Sequence, residues 1–82
     1  MKVRVLYFAA LRERAGMARS DEEVAPGTSV GALWEQVRAR PGFSGAATVP
    51  VPGFSVNGDW CAPSRLLSDG DEVGFLPPVS GG

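Results

Sequence analysis

From Lys2 to Phe8 the chain alternates, with Val3, Val5 and Tyr7 on one side and Lys2, Arg4, Leu6 and Phe8 on the other. A period of two in β-branched and aromatic residues predicts a strand. Between Ala9 and Ala15 the pattern changes to helix formers, with Phe8, Leu11 and Ala15 three and four residues apart, and Gly16 supplies the stop. Ala18 to Val24 returns to extended chain. Its core, Arg19-Ser20-Asp21-Glu22-Glu23, is polar enough to predict an edge strand with one wet face, its acidic trio solvated. Pro26-Gly27 suits a type II turn, with proline pre-set at its second position and glycine at the third. Thr28 or Ser29 then caps a helix running to about Arg40. Its apolar residues Val30, Leu33, Trp34 and Val37 follow i, i+3, i+4, i+7, a stripe that must face a sheet.

Residues Pro41 to Gly53 show no period and predict an irregular crossing, with Phe43 and Val49 or Val51 as apolar plugs. Phe54-Ser55-Val56, Asn57-Gly58 and Asp59-Trp60-Cys61 then read as strand, type I′ turn and short strand, because Asn-Gly tolerates positive φ at both central positions. Ala62 to Leu67 returns across the surface with one tight turn, anchored by Leu66 and Leu67. Asp69-Gly70 is turn chemistry, and the apolar run Val73, Phe75, Leu76 behind it predicts a last buried strand. Pro77-Pro78 ends it, since neither residue can donate a ladder hydrogen bond. The predicted order is β, α, β, α, β, β, β.

Composition narrows the function. At 82 residues the chain makes one domain, residues 1–76, with 77–82 as an extended tail. Hydrophobic content of 44% with 21% charge is that of a globular protein, and a net charge of -1 gives no basic footprint for nucleic acid. No apolar run approaches the ~20 residues that span a membrane, and Met1-Lys2-Val3-Arg4 enters a strand directly, so a cytoplasmic protein is expected. Cys61 is the single cysteine and there is no histidine, which removes an internal disulfide and the commonest general base and metal ligand. No metal site is expected. Cys61 lacks an activating base and reads as a small semi-buried hydrophobe. Asp69, Asp71 and Glu72 read as turn and surface carboxylates.

What remains reactive is the end of the chain. From Pro77 to the Gly82 carboxylate is six residues, which at ~3.3 Å each reach roughly 20 Å. Gly81 and Gly82 have no Cβ, so this end is as thin as a peptide can be and could enter another protein's active site.

Residues Asp69 to Gly82, with the pattern D-G-D-E-V-x-F-x-P-P-V-S-G-G, resemble the C-terminus of the small subunit of molybdopterin synthase, the MoaD family of ubiquitin-like sulfur carriers. The stretch Val3 to Gly16 resembles that family's first strand and helix, and Val56-Asn57-Gly58 matches as well. The resemblance implies an α+β fold of the β-grasp (ubiquitin-like) type, with a mixed sheet, one main helix across it and a free tail. It also implies that an E1-like adenylating enzyme activates Gly82 with ATP and a sulfur donor leaves a terminal thiocarboxylate. That sulfur would pass to cyclic pyranopterin monophosphate in the large subunit of molybdopterin synthase, in a heterotetramer of two small and two large subunits. The chain would bind no cofactor and would be the sulfur-donating subunit of a transferase, with acid-base residues on the large subunit.

In that reading Gly82 bears the adenylate and thiocarboxylate, Gly81 is the second slim residue, and Pro77, Pro78, Val79 and Ser80 form the lead-in to the partner. Phe75 is either a docking contact at the base of the tail or an inward core residue. Competing readings are a sulfur carrier for thiazole or tRNA thiolation, a ubiquitin-like modifier joined to lysines through Gly82, and a plain interaction domain. The Pro77-Pro78-Val79-Ser80 approach and the Phe8 to Glu13 segment are features that thiazole carriers generally lack.

Overall fold

The computed structural model describes residues 1–40 and 51–77. Its elements are β1 (Lys2–Tyr7), α1 (Ala9–Ala15), β2 (Arg19–Glu23), α2 (Val30–Arg38), β3 (Gly53–Val56), β4 (Asp59–Cys61) and β5 (Glu72–Leu76). This is the order that periodicity predicts. The strands form one mixed sheet, β2-β1-β5-β3-β4, in which β1 and β5 run parallel and every other pair is antiparallel. β5 is therefore the central strand. Register places Tyr7 opposite Phe75 on one side of it and Phe54 opposite Phe75 on the other.

Alternation decides which face is buried. Val3, Val5 and Tyr7 of β1, Phe54 and Val56 of β3, and Val73 and Phe75 of β5 point inward, where α2 covers them with Val30, Leu33, Trp34 and Val37. The Ser29 hydroxyl accepts from Ala32 N at 3.1 Å, so Ser29 and not Thr28 is the cap. α2 ends at Arg38, short of Arg40. Gly16 terminates α1 in the left-handed region, its N–H donating to Arg12 O and Glu13 O. At the hairpin, Asn57 (φ 52) and Gly58 (φ 88) both take positive φ, as a type I′ turn requires.

Several side chains sit differently from their sequence reading. Glu22 is not solvated: it is 3% exposed, and its carboxylate accepts from the Ser20 hydroxyl at 2.7 Å and from the Arg40 guanidinium. Tyr7 Oη shares a 2.9 Å hydrogen bond with Ser20 Oγ, which extends the polar chain under the edge strand. Periodicity alone could not find Arg40 as the partner, because it lies eighteen residues away on the far side of α2. Leu67 is buried while Leu66 is exposed, so only one leucine anchors that return. Val51 is also exposed and plugs nothing. Phe43 and Val49 lie outside the described residues. Among the described residues no helix is long and apolar enough to cross a membrane.

Candidate functional site

Because β5 runs parallel to β1, the chain leaves the sheet at the end where β1 passes into α1. Leu76 stands opposite Gly53 and one step beyond the Tyr7–Phe75 pair, beside Phe8. Pro77 is exposed there. Pro78, Val79, Ser80, Gly81 and Gly82 lie outside the described residues.

The outer face at this end is apolar, against the usual rule for a solvated sheet face. Phe8 is 41% exposed and Trp60 61%, with the half-buried Leu76 between them and the half-buried Leu6 beside Phe8. Two strand glycines lie beneath this surface. A β-carbon at Gly53 would stand 2.5 Å from Trp60 Cζ3, and one at Gly74 would stand 2.5 Å from Ser55 Oγ and 3.6 Å from Phe8 Cε2. The Trp60 ring lies across β3 because Gly53 beneath it has no side chain, whereas at Gly74 the close neighbour is Ser55 and the Phe8 ring is at ordinary contact distance. Ala9 follows Phe8 with φ 51, a left-handed conformation unusual for alanine, at the corner where β1 gives way to α1.

Phe75 takes the core reading. It is 0% exposed, and its ring meets Tyr7, Trp34 and Phe54 edge-on with centroids 5.9, 5.2 and 5.8 Å away. The residues that present apolar surface beside the tail are its neighbours in the sheet, Leu76, Phe8 and Trp60. Two signals in the sequence pointed to them: Phe8 falls on the same side of the alternation as Lys2 and Arg4, and glycine interrupts two strands.

The Asp69 and Asp71 carboxylates and the Glu72 backbone are tied into the turns before β5. Asp69 Oδ1 accepts from Lys2 N at 2.8 Å, Asp71 accepts from Ser68 N at 2.7 Å and from Asn57 Nδ2 at 3.0 Å, and Glu72 N donates to Asn57 Oδ1 at 2.9 Å. They clamp the turns at the end of the sheet opposite the tail. Cys61 pairs with Phe54 and is half-buried; burial pushes its thiol above the ordinary value, with the Arg65 charge pulling the other way. That is the reverse of nucleophile activation. Among the described residues no group of three or more metal-ligating side chains comes together.

A mixed sheet crossed by one helix, with a central last strand that carries the chain end outward, defines a ubiquitin-like β-grasp protein. The comparisons agree. A family model described as the ThiS family matches residues 5–82, and the chain belongs to that family. It is 42% identical over 84 residues to the molybdopterin synthase sulfur carrier subunit of Mycobacterium tuberculosis, covering 100% of this chain and 99% of the relative. Against the molybdopterin synthase sulfur carrier subunit of Chlamydomonas reinhardtii it is 36% identical over 85 residues, covering all of both chains. Among solved structures, SAMP1 from Haloferax volcanii superimposes with a TM-score of 0.78 at 27% identity over the full length of both.

Proposed function

We propose that this chain is the sulfur carrier subunit of molybdopterin synthase, delivering sulfur from a thiocarboxylate on Gly82. The observation that carries the proposal is the exit of β5. The central strand ends at Leu76 beside an exposed apolar face, so a partner that covers Phe8, Leu76 and Trp60 also receives the tail rooted there. The partner expected on that face is the synthase's large subunit. The same face and tail serve, at another time, the E1-like enzyme that charges the carrier.

A free carboxylate is a poor acyl donor because oxide would have to leave. Attack of a Gly82 oxygen on the α-phosphate of ATP expels pyrophosphate and gives an acyl adenylate. A persulfide donor then attacks the carbonyl carbon, the C–O bond breaks with its electron pair going to AMP, and a reducing thiol attacks the donor's sulfur of the resulting acyl disulfide, taking the donor away as a disulfide and leaving the S–S electron pair on a Gly82 thiocarboxylate. Its sulfur, softer and more nucleophilic than oxygen, attacks a carbon of cyclic pyranopterin monophosphate, a C–O bond at that carbon breaks with its electron pair leaving on oxygen, and water then attacks the Gly82 carbonyl so that the C–S bond to the carrier breaks, leaving sulfur on the pterin and the carrier as a carboxylate. Two charged carriers supply the two sulfurs of the molybdopterin dithiolene. Nothing in these steps requires a base from the carrier, which suits a chain without histidine. The narrow Gly81-Gly82 end and the lead-in through Pro77, Pro78, Val79 and Ser80 allow its carbonyl to enter both active sites.

The test is reconstitution. Charged carrier, large subunit and pyranopterin acceptor together yield the dithiolene product, and deletion of Gly82 abolishes it without changing the fold. Conversion that survives the deletion would sink the proposal. The protein-modifier reading is separated by immunoblots of cell extract, where a ladder of conjugates marks a modifier and a single small band a carrier.

A further inference from the structure

One row of residues crosses the outer face of the sheet from edge to edge. Arg19 of β2 stands opposite Leu6 of β1, Leu6 opposite Gly74 of β5, Gly74 opposite Ser55 of β3, and Ser55 opposite Trp60 of β4. With neighbouring strands about 4.8 Å apart the row is roughly 19 Å long, a cation at one end and an indole at the other. The next row toward the exit of β5 sets Phe8 beside Leu76 and Leu76 opposite Gly53. Arg19 therefore borders the apolar face on the side away from Trp60.

Arg19 differs from the other strand cations, Lys2 and Arg4. Lys2 has Glu23 across from it, and Arg4 has Asp21 on one side and Glu72 on the other, with its Nε 3.4 Å from Asp21 Oδ1. Across from Arg19 stands only Leu6. Its side chain is exposed, and among the described residues it makes no hydrogen bond or ion pair; Asp21, the carboxylate two residues along its own strand, is the one that holds Arg4. Water satisfies such a guanidinium while the face is open. Under an apolar partner surface it loses that hydration with no carboxylate of its own chain to replace it, which is unfavourable unless the partner supplies one. Its planar fork matches a carboxylate through two parallel N–H···O bonds.

We propose that Arg19 is a specificity-determining residue of the apolar face, selecting a partner that places an Asp or Glu side chain at the β2 side of its complementary patch. This rests on the reading of that face as the surface the large subunit covers. Contact with Phe8, Leu76 and Trp60 favours any apolar patch of the right shape. Arg19 disfavours those that would bury it unpaired, and a carboxylate opposite it converts that penalty into a charge-assisted pair. The large subunit that fits this carrier therefore carries an acidic group roughly 19 Å from the place where it receives Trp60, the span of the cross-strand row.

The experiment measures Kd for the large subunit at low and high salt, using the native chain, Arg19→Ala, Arg19→Glu, Arg65→Glu and Trp60→Ala. Because Arg19 is exposed and unpaired within the described chain, its variants are expected to keep the native Tm. Arg19→Ala is expected to weaken binding about tenfold at low salt and to flatten its salt dependence, and Arg19→Glu to weaken it further. Reversing the charge of one acidic residue on the large subunit is expected to restore binding of Arg19→Glu. Arg65→Glu makes the same change in net charge away from the row and is expected to stay within about twofold of native. Native affinity for Arg19→Glu beside a weakened Trp60→Ala would overturn the inference alone. So would an equal loss in Arg65→Glu and Arg19→Glu, since the effect would then be one of net charge. Native affinity in both Arg19→Glu and Trp60→Ala would overturn the reading of the face itself, and the inference would fall with it.

Discussion

The indole of Trp60 occupies the space above Gly53 that a side chain there would need, a β-carbon falling 2.5 Å from its Cζ3. The pairing holds a large aromatic residue in place while leaving most of its surface in water. Gly53→Ala forces the ring to move, and Trp60→Ala removes it. Because Trp60 is 61% exposed, each change is expected to alter folding stability by only about 1 kcal/mol. Binding of the large subunit is expected to suffer more, since a central aromatic anchor contributes about 2 kcal/mol or more, roughly thirtyfold in Kd. Titration calorimetry on the native and Trp60→Ala carriers decides it. Equal affinities would remove Trp60 from the interface.

Phe75 makes the opposite case. Truncation to alanine opens a cavity among Tyr7, Trp34 and Phe54 and is expected to cost about 3–5 kcal/mol. Each kcal/mol lowers Tm by about 4–8 °C in a domain of this size. Phe75→Leu, which keeps much of the volume, is expected to cost about 1.5 kcal/mol or less while leaving affinity for the large subunit within twofold, roughly, of native. A Phe75→Leu carrier that folds with unchanged Tm but fails to bind would restore Phe75 as a docking residue.

The Glu22–Arg40 pair is unequally buried, with Glu22 3% exposed and the Arg40 side chain 41% exposed. Removing either partner therefore has different consequences. Arg40→Ala strands a buried carboxylate with Ser20 as its remaining donor, an expected loss of about 2 kcal/mol. Glu22→Gln keeps an acceptor for Ser20 and lets Arg40 turn to water, at about half that cost. Urea unfolding of the two variants checks the order. Equal losses would mean that the pair acts as an ordinary surface ion pair.

Burial holds the Cys61 thiol above its ordinary pKa, and the Arg65 charge opposes that shift. The reactive thiolate is therefore scarcer in the folded chain than in a free cysteine at the same pH, and the pH profile of alkylation is displaced upward. Arg65→Ala removes the opposing charge and is expected to displace it further. Iodoacetamide rates across the alkaline range report this directly. A profile shifted below that of a model thiol would reverse the assignment of Cys61 as an inert packing residue.

Element order was legible in the sequence because each element has a strong local cause. The period of two in Val3-Arg4-Val5, the Val30, Leu33, Trp34, Val37 stripe and Asn57-Gly58 each act over fewer than ten residues. The exposed apolar face was less so. Trp60 lies over a glycine on the neighbouring strand, Gly53, and pairing across strands is set by the tertiary fold. Phe75 could not be settled from its own segment either. Its run Val73-Gly74-Phe75-Leu76 is apolar throughout, as a central strand's often is, and only the packing of α2 shows which side is the core. Glu22 escaped for a related reason, since its partner comes from the far end of α2.

The central claim is that Gly82 carries sulfur. The most direct measurement is the mass of the C-terminal peptide after incubation with ATP, an activating enzyme and a sulfur source. It must be made on the peptide, because oxidation of Met1, Met17 or Cys61 nominally matches exchange of oxygen for sulfur in the whole chain. The predicted result is one carboxylate oxygen of Gly82 replaced by sulfur. A Gly82 that stays a plain carboxylate, beside another carrier charged by the same enzyme, would contradict the account.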